Sequence, residues 1–300
     1  MTVAAAPPAQ DRPPAGIGFM VAAITVYAVG DAVLKDLVAG YPVAQILCLR
    51  SFGGLALLIG YALVRGEPGL FRTRRPGGHA LRLAFLLAAI FLYALSLRHL
   101  PLAETVTLFF AAPLFLTALS VPLLGETVGI RRWAAVAVGF AGVLAVMRPG
   151  PDTFDPAALL AVGSALCYAF VNITTRWLSA SESPLTLVAY QNAGFVVVTG
   201  ALLPFTWVTP PAPTLAVMLG LGVVFFLGPL AHVSALKYAP VSVVAPFEYV
   251  AIFWAVLLGW LVWGEVPAAT TWLGIAVIVG SGLYVLYREL EARLAQRPPA

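Results

Sequence analysis

Seven ionisable side chains stand inside long apolar runs of this 300-residue chain: Asp31, Lys35, Asp36, Arg50, Glu104, His232 and Glu248. In hydrocarbon such a group costs at least about 2.5–3.5 kcal/mol on insertion scales, so each needs a partner or a task. The chemistry they offer is recognition of polar groups and proton movement, not bond making. The five aspartates are Asp11, Asp31, Asp36, Asp152 and Asp155, with no paired-acid motif inside an apolar run. The three histidines stand apart, no His-Glu-x2-His occurs, and no Gly-rich loop precedes a Lys-Ser/Thr for nucleotide binding. Cys48 and Cys167 lie in apolar runs without metal-ligand spacing and read as small buried residues. A catalytic residue, a metal or a cofactor is therefore not expected. A channel fits poorly too, for want of a ring of like charges or a filter-like loop.

Tyr27, Asp31 and Lys35 fall on one helix face at i, i+4 and i+8. Two readings stand side by side: a self-neutralised Asp31–Lys35 pair with Lys35 snorkelling outward, or a polar stripe facing a cavity. Glu248 lies about eight residues, or roughly 12 Å, inside its apolar run. It reads either as a neutral packing carboxyl or as a site for a substrate ammonium or a proton, and the second is favoured. Arg50 cannot shed its charge and is expected to pair with an acid such as Glu104 or to bind a substrate carboxylate. Glu104 itself suits the first turn of a helix. Glu126 and Glu265 each follow a glycine and read as turn-and-cap residues. His232 reads as a structural histidine more readily than as a proton relay. Tyr93, Phe109, Phe110, Tyr168, Asn172 and Tyr249 complete the candidate substrate-binding set. Pro113, Pro122, Pro229 and Pro246 mark expected interruptions of helices, and Gly53-Gly54 and Gly139-x2-Gly142 mark close helix packing.

The elements that must position these residues follow from composition. The apolar set AVILMFWYC makes up 61% of the chain and charged residues only 10%, too few to coat a soluble domain of this size. Mean hydropathy is +0.95. Apolar runs at 16–38, 43–64, 79–98, 102–124, 131–148, 156–178, 184–207, 213–236, 241–263 and 268–287 predict ten membrane spans. Met1 to Ala15 is rich in Pro and Ala and is expected to be disordered, and Tyr287–Arg297 forms a charged helical tail. With the N-terminus inside, thirteen of the seventeen Lys and Arg fall on the inner side; Lys35, Arg50, Arg98 and Arg148 are the rest. That asymmetry predicts two cytoplasmic termini in an inner membrane and explains the pI near 9.2 without nucleic acid. Trp133, Trp177, Trp207, Trp263, Trp272, Tyr284 and Tyr287 gather near span ends as an interfacial belt.

The chain also repeats itself. Leu97-Arg98-His99-Leu100-Pro101 returns as Leu236-Lys237-Tyr238-Ala239-Pro240, an offset of 139, at which Gly125-Glu126 meets Gly264-Glu265 and Trp133 meets Trp272. At an offset of 141, Tyr27/Asp31/Lys35 meet Tyr168/Asn172/Arg176. Five spans per half is an odd number, so the second copy is inverted, with a substrate site expected at the interface of the halves. Two five-helix halves, each with a Pro turn opening a helix and a Gly-Glu closing one, resemble the EamA branch of the drug/metabolite transporter superfamily over residues 16–287. The layout is most similar to amino-acid exporters of the YddG type. The resemblance implies a ten-helix all-α carrier with repeats at 16–148 and 156–287, a central cavity and metabolite export, with amino acids leading and a larger flat metabolite such as a vitamin or drug as the alternative. Lipid and a small-molecule substrate are then the partners, and a monomer is the expectation.

Overall fold

The structure is a computed structural model and describes residues 12–66, 69–125, 128–150, 154–179, 181–239 and 241–295. Among these the chain is helical throughout: α1 Pro13–Gly40, α2 Val43–Arg65, α3 Pro76–His99, α4 Leu102–Phe109, α5 Ala112–Leu124, α6 Ile130–Met147, α7 Ala157–Leu178, α8 Pro184–Gly200, α9 Leu203–Thr206, α10 Ala212–Tyr238, α11 Val241–Val244, a 3₁₀ turn Ala245–Tyr249, α12 Val250–Trp263 and α13 Ala269–Ala295. Proline opens the first turn of α1, α3, α8 and α10, where its missing N–H has no helical partner to lose. Gly66, Gly125 and Gly264, at φ of 67–68°, close α2, α5 and α12 in the left-handed conformation that spares only glycine a penalty.

Nine helical stretches are long and apolar enough to cross a bilayer. The tenth crossing is α8 with α9: the Ala201 N–H donates to Val197 and the Leu202 N–H to Thr199, which carries the helical path across the junction. The fourth span joins α4 to α5, and the ninth joins α11, the 3₁₀ turn and α12. An even number of spans puts the start of α1 and the end of α13 on one face, here the terminal face; the other is the far face.

The packing obeys the repeat. α3 lies on α7 as α10 lies on α1; α2 lies on α10 as α8 lies on α3; α5 lies on α7 as α12 lies on α1; α2–α8 and α6–α13 map onto themselves when the halves are exchanged. Matched glycines make two of these crossings possible. A Cβ on Gly53 would stand 2.4 Å from the Leu219 carbonyl oxygen, and one on Gly194 would stand 2.3 Å from Leu83 Cδ2. Gly139 and Gly142 likewise admit Ser281 and Val277, seating α6 on α13.

Some local expectations change. α1 begins at Pro13, inside the segment expected to be disordered, while residues 1–11 lie outside the described residues. The tail continues α13 without a break to Ala295. Pro229 does not interrupt α10, and Pro122 sits in the last turn of α5. The breaks fall at Phe110–Ala111, just before Pro113, and at the 3₁₀ turn holding Pro246. Trp263, half-buried at the end of α12, has its ring centroid 5.1 Å from Lys35 Nζ, and Trp133, Trp177, Trp207 and Trp272 are exposed.

Candidate functional site

The broken spans bring aromatic side chains to the interface between the halves. Phe110 and Tyr249, which correspond at the offset of 139, stack with centroids 5.0 Å apart. Beside them Tyr93 packs edge-on to Phe109 at 5.3 Å, and Phe109 packs against Tyr168 at 5.1 Å. Tyr168, at the open end of this row, is 38% exposed. Its counterpart Tyr27 is within electrostatic range of it and lies flat against Gly228, where a Cβ would stand 2.4 Å from Tyr27 Cε1.

Asp31 anchors the polar end of this row. Tyr93 Oη donates to Asp31 Oδ2 at 3.1 Å, and the Arg50 guanidinium is the cation nearest in effect to that carboxylate. Arg50 is 4% exposed, with its guanidinium 3.9 Å above the Phe225 ring and 5.8 Å from that of Phe195. Asp31 and Lys35 therefore do not neutralise each other, and Arg50 does not pair with Glu104. Lys35 is buried and turns away to donate to the Leu100 carbonyl at 2.9 Å and to Glu265. Glu104 is taken by Arg148 and by Thr271 Oγ1 at 3.0 Å. The reason is geometric: successive acids and bases on one helix compete with partners from neighbouring helices, which the linear spacing does not reveal.

Glu248 projects from the 3₁₀ turn, half-buried, within electrostatic range of Tyr27, Tyr168 and Tyr249 and accepting no hydrogen bond from a described residue. Asn172 spends its Nδ2 on the Tyr168 carbonyl one turn back, at 2.9 Å. His232 corresponds to Tyr93 in the repeat and lies one turn from Gly228 on the α10 face that meets α1. It is half-buried and hydrogen-bonded to no described residue, so the expected satisfied histidine is not what the structure places there. Asp36 and Arg176 are exposed. Glu126 lies outside the described residues.

Both faces are tied across the halves. On the far face Glu265 joins Lys35 and accepts the Leu102 N–H at 2.9 Å, so it caps α4 rather than the helix that follows it. On the terminal face Glu182 accepts from Thr73 Oγ1 at 2.8 Å and from the Arg74 N–H at 3.2 Å, with His79 Nε2 at 3.7 Å. Burial opposes the charge on Glu182, but these hydrogen bonds and His79 outweigh it and hold the carboxyl below its ordinary range. Arg82 reaches Thr175 Oγ1, the Leu187 carbonyl and Gln191 Oε1 at 2.8, 3.3 and 3.2 Å, closing the bundle beneath Tyr168. Sequence reasoning counted Arg82 only as a topology charge and passed over Phe195, Phe225 and Glu182. The one available signal was the repeated Gly-Glu, which pointed to Glu265. Among the described residues no cluster of His, Cys, Asp and Glu could hold a metal ion.

Known proteins share this architecture. The chain is 30% identical over 292 residues to a riboflavin transporter of Vibrio cholerae, covering 96% of this chain and 98% of that protein. It is 25% identical to an S-adenosylmethionine uptake transporter of Rickettsia conorii, covering 92% and 94%, and 29% identical to a pseudopaline exporter of Pseudomonas aeruginosa, covering 88% and 93%. A solved crystal structure superposes with a TM-score of 0.65 at 19% identity, over 94% of this chain and 99% of that one, which establishes the fold. The profile of the EamA-like transporter family matches residues 14–148 and again 155–287. With a family profile met twice and relatives aligned nearly end to end, this multi-pass membrane protein belongs to the EamA-like transporter family.

Proposed function

We propose that this transporter carries a planar heteroaromatic metabolite of the riboflavin class, by alternating access, with its terminal face in the cytoplasm. The observation that carries the reading is the unbroken row Tyr93–Phe109–Tyr168 ending on the Asp31 carboxylate. Flat rings gain most from such a wall, because aromatic pairs add to plain area burial. The relative from Vibrio cholerae named as a riboflavin transporter supports the same class. Amino-acid export, expected from the layout, has weaker support: a zwitterion needs two separated charges met in a polar site, and here the ionised groups border an aromatic wall.

Purified protein in liposomes tests the proposal. Time-resolved uptake of riboflavin should saturate and should be competed by excess unlabelled riboflavin. A panel of amino acids should move no faster than in protein-free vesicles. Saturable transport of an amino acid with none of riboflavin would sink the reading.

A further inference from the structure

The buried Arg50 has no counterpart in an ordinary aromatic pocket. A guanidinium carries five N–H donors and accepts nothing. At 4% exposure, with one face on Phe225, this one donates to no described residue. Among the described residues its electrostatic partner Asp31 receives one hydrogen bond, from Tyr93 to Oδ2, which leaves Oδ1 open. A donor-only guanidinium and a carboxyl with an open oxygen thus lie within electrostatic range of each other near the end of the aromatic row, each with unused capacity among the described residues. At 4% exposure a guanidinium that donates to no described residue is costly and calls for a partner.

From this juxtaposition we infer that Asp31 and Arg50 read a cyclic imide edge, the –C(=O)–NH–C(=O)– of a pyrimidinedione ring, with Asp31 accepting from the ring N–H and Arg50 donating to an adjacent carbonyl. The inference rests on the proposed riboflavin-class substrate and names the part of the ring that is recognised. The two charges oppose one another, so the head of the site is close to neutral and suits an uncharged edge. A cationic ligand would meet Arg50 at close range. The remainder of the fused ring lies along Tyr93, Phe109 and Tyr168, and Tyr93 positions Asp31 through its hydroxyl. An adenine edge also sets an N–H beside an acceptor, but it has one ring-nitrogen acceptor where the imide has a carbonyl on each side of its N–H.

Binding to the purified wild-type protein, followed by quenching of flavin fluorescence, tests this without relying on transport. Riboflavin is compared with 3-methylriboflavin, which keeps the rings and carbonyls but lacks the imide N–H. The methyl compound should bind about tenfold or more weakly, as expected when a charged acceptor loses its donor. In Asp31→Ala the two ligands should bind within about twofold of each other, because the group that tells them apart is gone. Equal binding of both ligands by the wild type overturns the inference while leaving the riboflavin reading intact. That comparison needs no variant, so it decides the matter even if Asp31→Ala does not fold. Absence of saturable riboflavin binding overturns both readings, and displacement of riboflavin by adenosine at lower concentration than by riboflavin itself overturns the imide assignment.

Discussion

The two halves of the bundle share a backbone plan but not a polarity. At matching positions the first half carries Asp31, Arg50 and Tyr93, and the second carries Asn172, Gln191 and His232. In the first half the three groups converge, half-buried Tyr93 bonded to half-buried Asp31 with the buried Arg50 in electrostatic range. In the second they disperse: Asn172 bonds its own helix, Gln191 serves Arg82, and His232 bonds no described residue. Glu248, an acid of the second half at the centre, stands where the first half has Phe109. In the proposed alternating-access cycle, opening to either side follows from exchange of two similar inverted halves. On the proposed reading a bound molecule takes one orientation, because Asp31 and Arg50 both belong to the first half.

Replacing the charged member of a matched pair should therefore cost far more than replacing the neutral one. Arg50→Met removes the buried guanidinium and, on the proposed reading, the charged donor that meets the ligand, a hydrogen bond of the kind worth about 1.5–3 kcal/mol. Riboflavin binding should fall on the order of a hundredfold, while Gln191→Met, at the matching place, should change it by less than about fivefold. Comparable losses in the two variants, measured by fluorescence titration on monodisperse protein, would erase the distinction between the halves.

The ties at the two faces sharpen the comparison from outside the cavity. Glu265→Gln still accepts the Leu102 N–H but leaves the buried Lys35 without its counter-charge, at a cost of about 1–3 kcal/mol to closure of the far face. A cysteine at Phe109, in a background without Cys48 and Cys167, should then react several-fold faster with an impermeant thiol reagent from that face. Unchanged reactivity would mean that the Lys35–Glu265 contact does not hold the face shut. At the terminal face Glu182 has its carboxyl lowered, so its contribution is present at neutral pH and disappears as pH falls through that lowered value. Glu182→Gln should melt earlier than wild type at pH 7, and the gap should close below about pH 4. A gap that persists in acid would show that the charge on Glu182 is not what binds the Thr73–Arg74 turn.

The smallest effect is expected at Asn172. Its amide nitrogen is already spent on Tyr168, so Asn172→Ala should weaken riboflavin binding by less than about threefold. A loss as large as that of Arg50→Met would mean that the second half also supplies a primary contact.

Sequence alone determined the span count, the inversion and the family, because hydrocarbon thickness fixes helix length and a repeat survives as spacing whatever its surroundings. The Gly-Glu pair, the Tyr27/Tyr168 match and the aromatic candidates were all legible in this way. Partner choice was not. The favourable i, i+4 order of Asp31 and Lys35 promised a local pair, yet Lys35 found Glu265, 230 residues away, and Asp31 found Tyr93. Arg50 and Glu104 looked suited to each other and were divided between Phe225 and Arg148. Only tertiary structure decides such contests, because in a low-dielectric interior the geometry of a neighbouring helix outweighs separation along the chain.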